Sequence, residues 1–282
     1  MLPPQAVVLL AAIQGVSEAL PVSRSGHGAV ASLWLHPGST GVQLELLLHL
    51  ATASALLIAA RRRLVAALGA GLFAIARPSL LRSSAPAREA VILALALLAS
   101  MGSRAFVDQW VFPWRTAPVA IGFGLLFTGL LMGTTTLIDE PGKEEPSVFL
   151  ALVLGIGHGL ANLPGGSDMG AALVLLSWMR TKTEITLDLA MILSASTLLL
   201  GVATAPMAMV RPDLSWPVLL LALTTAFLGT TMAIRLTRLL LEKRALALVA
   251  CWTFPLGLGM LAYSRALSDG LSLALAVLTR PG

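Results

Sequence analysis

The sequence predicts an all-α integral membrane protein in which two copies of one helical unit insert with opposite orientations. The 282 residues are 57% hydrophobic and only 12% charged, whereas soluble proteins carry about 25% charged residues. The mean hydropathy is +0.87. Two short Ser/Gly segments also match each other at a shift of 144 positions. Together these features indicate a bundle of membrane helices with an internal duplication.

Six apolar segments are long enough to cross a bilayer, which takes about 17–25 residues of helix. They cover residues 43–60, 87–104, 116–138, 186–207, 215–235 and 246–265. Each is therefore predicted to be a transmembrane helix.

Four further apolar segments are too short to cross, and they form two pairs interrupted by Pro, Ser and Gly. The pairs are 5–19 with 24–36, and 148–163 with 167–180. Each pair predicts a re-entrant helical hairpin that enters the membrane only partway.

The hairpins and the long segments divide the chain into two equivalent halves. Residues 1–138 hold the hairpin 5–36 and three spans, and residues 139–282 hold the hairpin 148–180 and three spans. An odd number of spans reverses the orientation of the second half, so the sequence predicts an inverted-topology repeat within a single membrane domain.

Arginine predicts the sidedness of the loops. Residues 61–88 contain six arginines and no acidic residue, so this loop is expected in the cytoplasm. The first hairpin then opens to the outside and the second to the inside, while the acidic connection 139–147 also falls inside. The pI near 10.3 comes largely from arginines between the apolar segments. These arginines are interpreted as topology signals and as contacts for anionic lipids of the bilayer, not as a nucleic-acid-binding surface.

The matching segments carry the candidate phosphate-binding residues. A broken helix leaves free N–H groups at the start of its second half, which favours an anion. Arg24 adds a planar fork that suits two phosphate oxygens. The serines and glycines beside these helix starts complete the predicted phosphate site: Ser23, Ser25, Gly26, Ser167 and Gly170.

Acid–base chemistry is assigned to Glu18, His27 and Asp168. Gln14 shares the helical face of Glu18, and the shift of 144 places His158 and Asn162 on these two positions as supporting residues. Asp168 falls on Arg24, so the two tips are expected to bring them into contact. Asp168 then either neutralises Arg24 or acts as nucleophile or general base. Two other polar residues in an apolar span are left as interfacial or structural: Glu45 and His49.

These motifs resemble the bacterial undecaprenyl-diphosphate phosphatase family of the bacitracin-resistance type. The family's E/Q-x-x-x-E stretch corresponds to Gln14–Glu18, and its Pro-Val-Ser-Ser-(Ser/Thr)-Gly-His motif to Pro21–His27. Its Pro-Gly-x-Ser-Arg-Ser-Gly motif corresponds to Pro164–Gly170, and the segment Glu45–Thr52 is similar to its first full span. The likeness extends from about residue 5 to residue 265.

The resemblance implies a multi-pass enzyme of the bacterial inner membrane that removes one phosphate from a polyprenyl diphosphate. It also implies a Mg²⁺ or Ca²⁺ ion near Gln14 and Glu18, and a homodimer is a further expectation. Two positions depart from the family: Arg24 replaces a serine, and Asp168 replaces the phosphate-binding arginine. The phosphatase is therefore weighed against a catalytically altered homologue that carries polyprenyl phosphate across the membrane.

Overall fold

The structure, a computed structural model, describes residues 2–36, 38–138, 147–206 and 214–278. For residues 38–41 and 271–278 it describes the backbone alone. Within these ranges the chain forms helices and no strand, which confirms the predicted all-α class. The helices are α1 (Pro4–Ala19), α2 (Arg24–Leu35), α3 (Gly38–Ala59), α4 (Arg61–Ala76), α5 (Leu80–Ser83), α6 (Ala85–Val111), α7 (Pro118–Gly133), α8 (Val148–Leu160), α9 (Asp168–Trp178), α10 (Thr183–Thr204), α11 (Trp216–Glu242) and α12 (Ala250–Leu278).

Proline and serine mark many of the helix starts. Pro4 and Pro118 occupy the first turns of α1 and α7, where a missing N–H costs no hydrogen bond. Ser84 and Ser147 cap α6 and α8 by accepting a backbone N–H three residues further on. These starts therefore follow from local sequence.

Within the described residues, six helical stretches are long and apolar enough to cross a membrane, and each overlaps one predicted span. They are Val42–Ala59, Ala85–Trp114, Pro118–Leu137, Thr183–Thr204, Trp216–Glu242 and Leu246–Gly270. The second stretch differs most from its prediction, which ended at residue 104. Arg104 and Asp108 interrupt the apolar pattern there without ending the helix.

Four shorter helices coincide with the four short apolar segments of the sequence. Helices α1, α2, α8 and α9 have 16, 12, 13 and 11 residues. At 1.5 Å per residue α8 is only about 20 Å long, shorter than the hydrocarbon core of a bilayer. None of the four is long enough to qualify as a span.

The region 61–88 is not the simple loop that the sequence predicted, because it contains α4 and α5. Apolar side chains of α4, among them Phe73 and Ile75, are exposed, as in helices that lie along a membrane surface. Arg63 ties α4 to the bundle through Glu89 at 2.6 Å and Asp188 at 3.1 Å. Burial alone lowers the pKa of Arg63, but these two carboxylates outweigh it and raise the pKa, so Arg63 is charged.

The helices pack in pairs, each of which joins a helix from residues 1–138 to a helix from residues 139–282. Helix α1 packs along α11 and α8 packs along α6, while α3 meets α10 and α7 meets α12. The largest hydrophobic core joins α8, α9 and α10 to α3 and α6. The acidic connection predicted at 139–147 lies outside the described residues except for Ser147.

Glycines allow the short helices to approach the long ones closely. A Cβ atom at Gly15 would overlap the backbone of Ala226 in α11, and one at Gly155 would overlap the carbonyl oxygen of Ala96 in α6. Backbone atoms cannot move aside as a side-chain tip can. These two glycines therefore set the distance between the paired helices.

We expect Gly155→Ala to destabilise the protein by about 1–3 kcal/mol, the usual cost of overpacking. Gly102→Ala is the matched control, because Gly102 lies within α6 and no atom comes near its absent Cβ. The control should be neutral or slightly stabilising, since alanine favours a helix. Thermal unfolding in detergent measures both variants. Equal midpoints would show that Gly155 does not control the α6–α8 distance.

Candidate functional site

The two matching segments fold in the same way. Ser23 accepts a hydrogen bond from the Gly26 N–H at 3.0 Å, and Ser167 accepts one from the Gly170 N–H at 3.1 Å. Each serine is the N-cap of the helix that follows. Ser23 has φ of 78°, which is uncommon for a residue with a side chain. Both serines are buried, and each hydroxyl oxygen is engaged as a cap.

The two loop tips contact each other through Ser25. Its Oγ accepts a hydrogen bond from the Gly165 N–H at 3.2 Å and lies 3.5 Å from the Gly166 oxygen. Gly165 has φ of 77°, a conformation that glycine adopts without strain. Thr128 of α7 donates to the Gly165 oxygen at 3.0 Å. The tips are therefore held together.

The two loop glycines, Gly26 and Gly170, pack closely against α7, and their role in phosphate binding stays a prediction. A Cβ atom at Gly26 would meet Leu125, and one at Gly170 would meet Met132. Both of these side chains belong to α7. Helix α7 thus fills the space beside the two helix starts.

Arg24 is the centre of a polar network that joins three helices. Its Nε lies 3.0 Å from Glu18 Oε2, and its Nη1 lies 2.9 Å from Glu45 Oε1 and 2.8 Å from His49 Nε2. The contact to Glu18 is an ion pair without the alignment of a hydrogen bond. Gln14 completes the network by donating to Glu18 Oε2 at 3.0 Å, as their spacing of four residues predicted.

Three buried atoms in this network have no hydrogen-bond partner among the described residues: Glu18 Oε1, His49 Nδ1 and Arg24 Nε. Of these, Arg24 Nε still faces Glu18 Oε2 as an ion pair. His49 Nε2 faces a guanidinium, which can only donate, so Nε2 accepts and Nδ1 carries the proton. One acceptor and one donor are therefore left for a water molecule or a ligand.

The expected contact between Arg24 and Asp168 is not formed. Across the part of the chain that the structure describes, Arg24 is paired with Glu18 and Glu45, and no ion pair joins it to Asp168. The Asp168 carboxylate instead accepts the N–H of Met169 at 2.8 Å. Asp168 remains within electrostatic range of Arg24. Glu45, which lies 21 residues away along the chain, pairs with Arg24 in place of Asp168.

A cavity of about 490 Å³ opens beside the Arg24 network. Its wall carries polar side chains from both halves of the chain: Gln14, Arg24, Ser25, Ser32, Glu45, His49, Arg104, Arg115 and Asn162. The Glu45 side chain is 50% exposed and that of Arg24 is 13% exposed. Three arginines line this cavity, and Arg104 is the one without a carboxylate partner among the described residues, which makes the cavity suited to an anionic group.

Sequence reasoning missed five of these residues as site residues: Ser32, Glu45, His49, Arg104 and Arg115. Glu45 and His49 lie four residues apart, on one face of an otherwise apolar span. Ionisable residues inside a span are expensive unless they function, and that signal was available in the sequence. Arg104 ends one predicted span and Arg115 directly precedes the next. The sequence carries no signal that these two side chains meet at one cavity.

His27 faces away from the cavity. Its Nδ1 lies 2.7 Å from the Ser23 carbonyl oxygen, so Nδ1 carries a proton. Its Nε2 accepts from Trp252 Nε1 at 2.7 Å, and the two rings are nearly parallel. His27 is thus a neutral ring with both nitrogens engaged.

The two supporting residues of the second loop are separated by the fold. His158 is buried between serines, with Nδ1 2.9 Å from Ser100 and Nε2 3.2 Å from Ser194. Asn162 reaches the cavity wall and donates to Asp108 at 2.9 Å. His158 therefore links helices, whereas Asn162 joins the site.

Gln14 and Glu18 by themselves supply few free oxygens for a divalent ion. Mg²⁺ and Ca²⁺ take several oxygen ligands, but Glu18 Oε2 already faces the Gln14 amide and Arg24. Glu18 Oε1 and the Gln14 amide oxygen are left, so an ion here would need further oxygens from a ligand or water. No group of three His, Cys, Asp or Glu side chains that could hold a metal occurs among the described residues.

A second, apolar cavity of about 680 Å³ lies beside the other loop. Aromatic and aliphatic side chains of α6, α7 and α8 form its wall, among them Phe123, Phe127 and Leu160. Pro164 lines both cavities. A polar cavity and an apolar one thus meet at the second loop.

An arginine-lined cavity among helices that are apolar enough to cross a membrane defines a class: multi-pass membrane proteins with a site for an anionic group. The sequence profile described as bacitracin resistance protein BacA matches residues 7–259. The chain therefore belongs to the BacA family, which confirms the resemblance seen in its motifs.

Relatives of known name agree with this family. An undecaprenyl-diphosphatase of Treponema denticola is 27% identical over 271 residues, covering 91% of this chain and 96% of that protein. One of Desulfatibacillum aliphaticivorans is 32% identical over 246 residues, covering 79% of this chain and 85% of that protein. Undecaprenyl-diphosphatase 2 of Chromobacterium violaceum is 36% identical over 177 residues, covering 59% of this chain and 62% of that protein.

Proposed function

We propose that this protein is an undecaprenyl-diphosphatase, a membrane hydrolase that removes the terminal phosphate of a polyprenyl diphosphate. The observation that carries the proposal is the cavity in which Arg24, Arg104 and Arg115 converge beside Glu45. A diphosphate is an anion of matching charge, and guanidinium groups bind its oxygens in pairs. Membership of the BacA family and the names of the relatives support the same substrate.

Hydrolysis needs one base and a clamp for the developing charge. The oxygen of water bonds to the terminal phosphorus, the bridging P–O bond breaks, and the proton of water passes to a carboxylate. Glu18 Oε1 is the buried acceptor left open in the network, so we assign the proton to Glu18. Arg24, held between Glu18 and Glu45, supplies a fixed positive charge for the phosphoryl oxygens. The products are the lipid monophosphate and inorganic phosphate.

The apolar cavity supports a lipid substrate. It lies next to the polar cavity and shares Pro164 with it. A polyprenyl chain whose diphosphate occupies the polar cavity would find an apolar surface there without crossing a charged one.

The test is release of inorganic phosphate from undecaprenyl diphosphate by the purified protein. Release above that of an Arg24→Met control supports the proposal. Binding of the lipid without release would favour the carrier that the sequence left open, and absence of both would contradict the phosphatase.

The inverted repeat and its re-entrant hairpins belong to the same proposal. Support comes from four helices too short to span and from serine caps that recur at a shift of 144 residues. The paired packing of α1 with α11 and of α8 with α6 agrees. In this proposal the chain lies in the bacterial inner membrane, with α4 on the cytoplasmic side.

Cysteine labelling tests this orientation in a Cys251→Ser background. Cysteines placed at Ser79 and Lys243 should react with an impermeant reagent from the cytoplasmic side, and one at Thr116 from the other side. Reaction of all three from one side would contradict the inverted arrangement.

The position of His27 leads to a prediction that differs from the one based on sequence. The sequence assigned His27 to proton transfer, which contributes about 10²–10⁴-fold in rate. Because its ring is engaged by Ser23 and Trp252, we expect His27→Ala to lower phosphate release by less than about tenfold. Trp252→Phe, which removes only the hydrogen bond to the ring, is the companion variant. A loss of a hundredfold or more in folded His27→Ala protein would restore the catalytic role.

A further inference from the structure

Arg104 is the arginine of the polar cavity whose side chain has no partner among the described residues. Arg24 is paired with Glu18 and Glu45, and Arg115 is paired with Asp108. Arg104 lines the same cavity. It forms no ion pair or hydrogen bond with any residue in the described parts of the chain. A guanidinium with its donors unused is the feature that an anion site requires.

The fold places Arg104 beside the second loop. Helix α6 runs close along α8, and at Gly159 a Cβ atom would lie 2.9 Å from the backbone nitrogen of Arg104. Gly159 therefore brings this turn of α6 to the base of the loop that carries Asp168. Arg104 and Asp168 lie within electrostatic range of each other.

The second loop lacks a positive charge of its own. Residues 161–170, which form this loop and the start of α9, contain Asp168 and no arginine or lysine. Arg24, the arginine of the first loop, is already paired with the carboxylates of Glu18 and Glu45. The charge that would meet a second phosphate must therefore come from another helix.

We propose that Arg104 binds a phosphate of the lipid diphosphate and supplies, from α6, the positive charge that the second loop lacks. This inference rests on the proposed function, because it names a substrate-binding residue of the same cavity. The planar fork of Arg104 would contact two oxygens of one phosphate, while Arg24 remains fixed by its two carboxylates. Bidentate contact predicts that lysine cannot fully replace it.

The experiment compares Arg104→Gln and Arg104→Lys with the parent in phosphate release from undecaprenyl diphosphate. A hydrogen bond to a charged group is worth about 1.5–3 kcal/mol, so we expect KM to rise roughly ten- to a hundredfold for Arg104→Gln. Arg104→Lys should fall between. The matched control is Arg77→Gln, because Arg77 is an exposed arginine outside the cavity. Unfolding midpoints establish that each variant is folded.

A second variant tests the substitution of one arginine for another. Asp168→Arg, introduced into Arg104→Gln, returns an arginine to the second loop and should restore KM to within a few-fold of the parent. An unchanged KM in Arg104→Gln, or in folded protein the absence of rescue by Asp168→Arg, would overturn the inference.

Failure of the proposed function would look different. If the parent itself releases no phosphate, binding of undecaprenyl diphosphate to the parent and to Arg104→Gln still tests the role of Arg104. Weaker binding by the variant would support the inference without the phosphatase. Equal binding would contradict it.

Discussion

We expect Glu18→Gln to lower the kcat of phosphate release by about 10²–10⁴-fold, the contribution of a positioned proton-transfer group. Glutamine keeps the shape of the side chain but not its basicity. Glu18 is fully buried, and its Oε1 is the acceptor in the network that has no partner among the described residues. Removing the base therefore affects the chemical step more than the binding of the lipid.

Steady-state kinetics distinguish the role of Glu18 as a base from a role in holding Arg24. Loss of the base lowers kcat at nearly constant KM, whereas a displaced Arg24 raises KM. Glu184→Gln is the control, since Glu184 is an exposed glutamate of α10 that does not line this cavity. A raised KM with kcat preserved would assign Glu18 to positioning alone.

We expect Arg24→Met to abolish phosphate release and to destabilise the protein by about 3–5 kcal/mol, the cost of leaving a buried charge unpaired. Glu18 has no other cationic partner within 4.0 Å in the described structure. Gln14 donates one hydrogen bond to Glu18 but carries no charge. The unfolding midpoint and the rate of phosphate release measure the two effects separately.

The double variant Arg24→Met with Glu18→Gln identifies the cause of that destabilisation. It removes both buried charges, so most of the stability should return while phosphate release stays absent. Arg24→Lys keeps the charge and should stay folded but bind the lipid more weakly, because the fork is lost. If the double variant is as unstable as Arg24→Met alone, the unpaired carboxylate is not the cause.

Local sequence determined the helices and their starts because the forces that set them act over a few residues. The serine caps at Ser23 and Ser167 each bond an N–H three residues away, and their recurrence at a constant shift was readable without coordinates. The contact of Gln14 with Glu18 follows from a spacing of four residues on a helix. The six spans follow from length and hydropathy.

Partners far apart in sequence could not be assigned in that way. The Arg24 side chain lies at the first loop tip, and the sequence does not show which carboxylate of another helix approaches it. Asp168 was chosen from the symmetry of the repeat, but the tertiary structure gave Arg24 to Glu45 and His49, 21 and 25 residues away. The ring of His27 was turned toward Trp252, 225 residues further along.

The sequence by itself determined that this chain is a helical membrane protein of the BacA family, and it predicted a polar site at the starts of two short helices. Only the tertiary structure decided which charges share that site, and that Arg104 has no carboxylate partner among the described residues. The physical reason is range. Caps, helical faces and apolar lengths depend on neighbouring residues, whereas the choice of an ion-pair partner depends on which helices pack together and how closely their glycines let them approach.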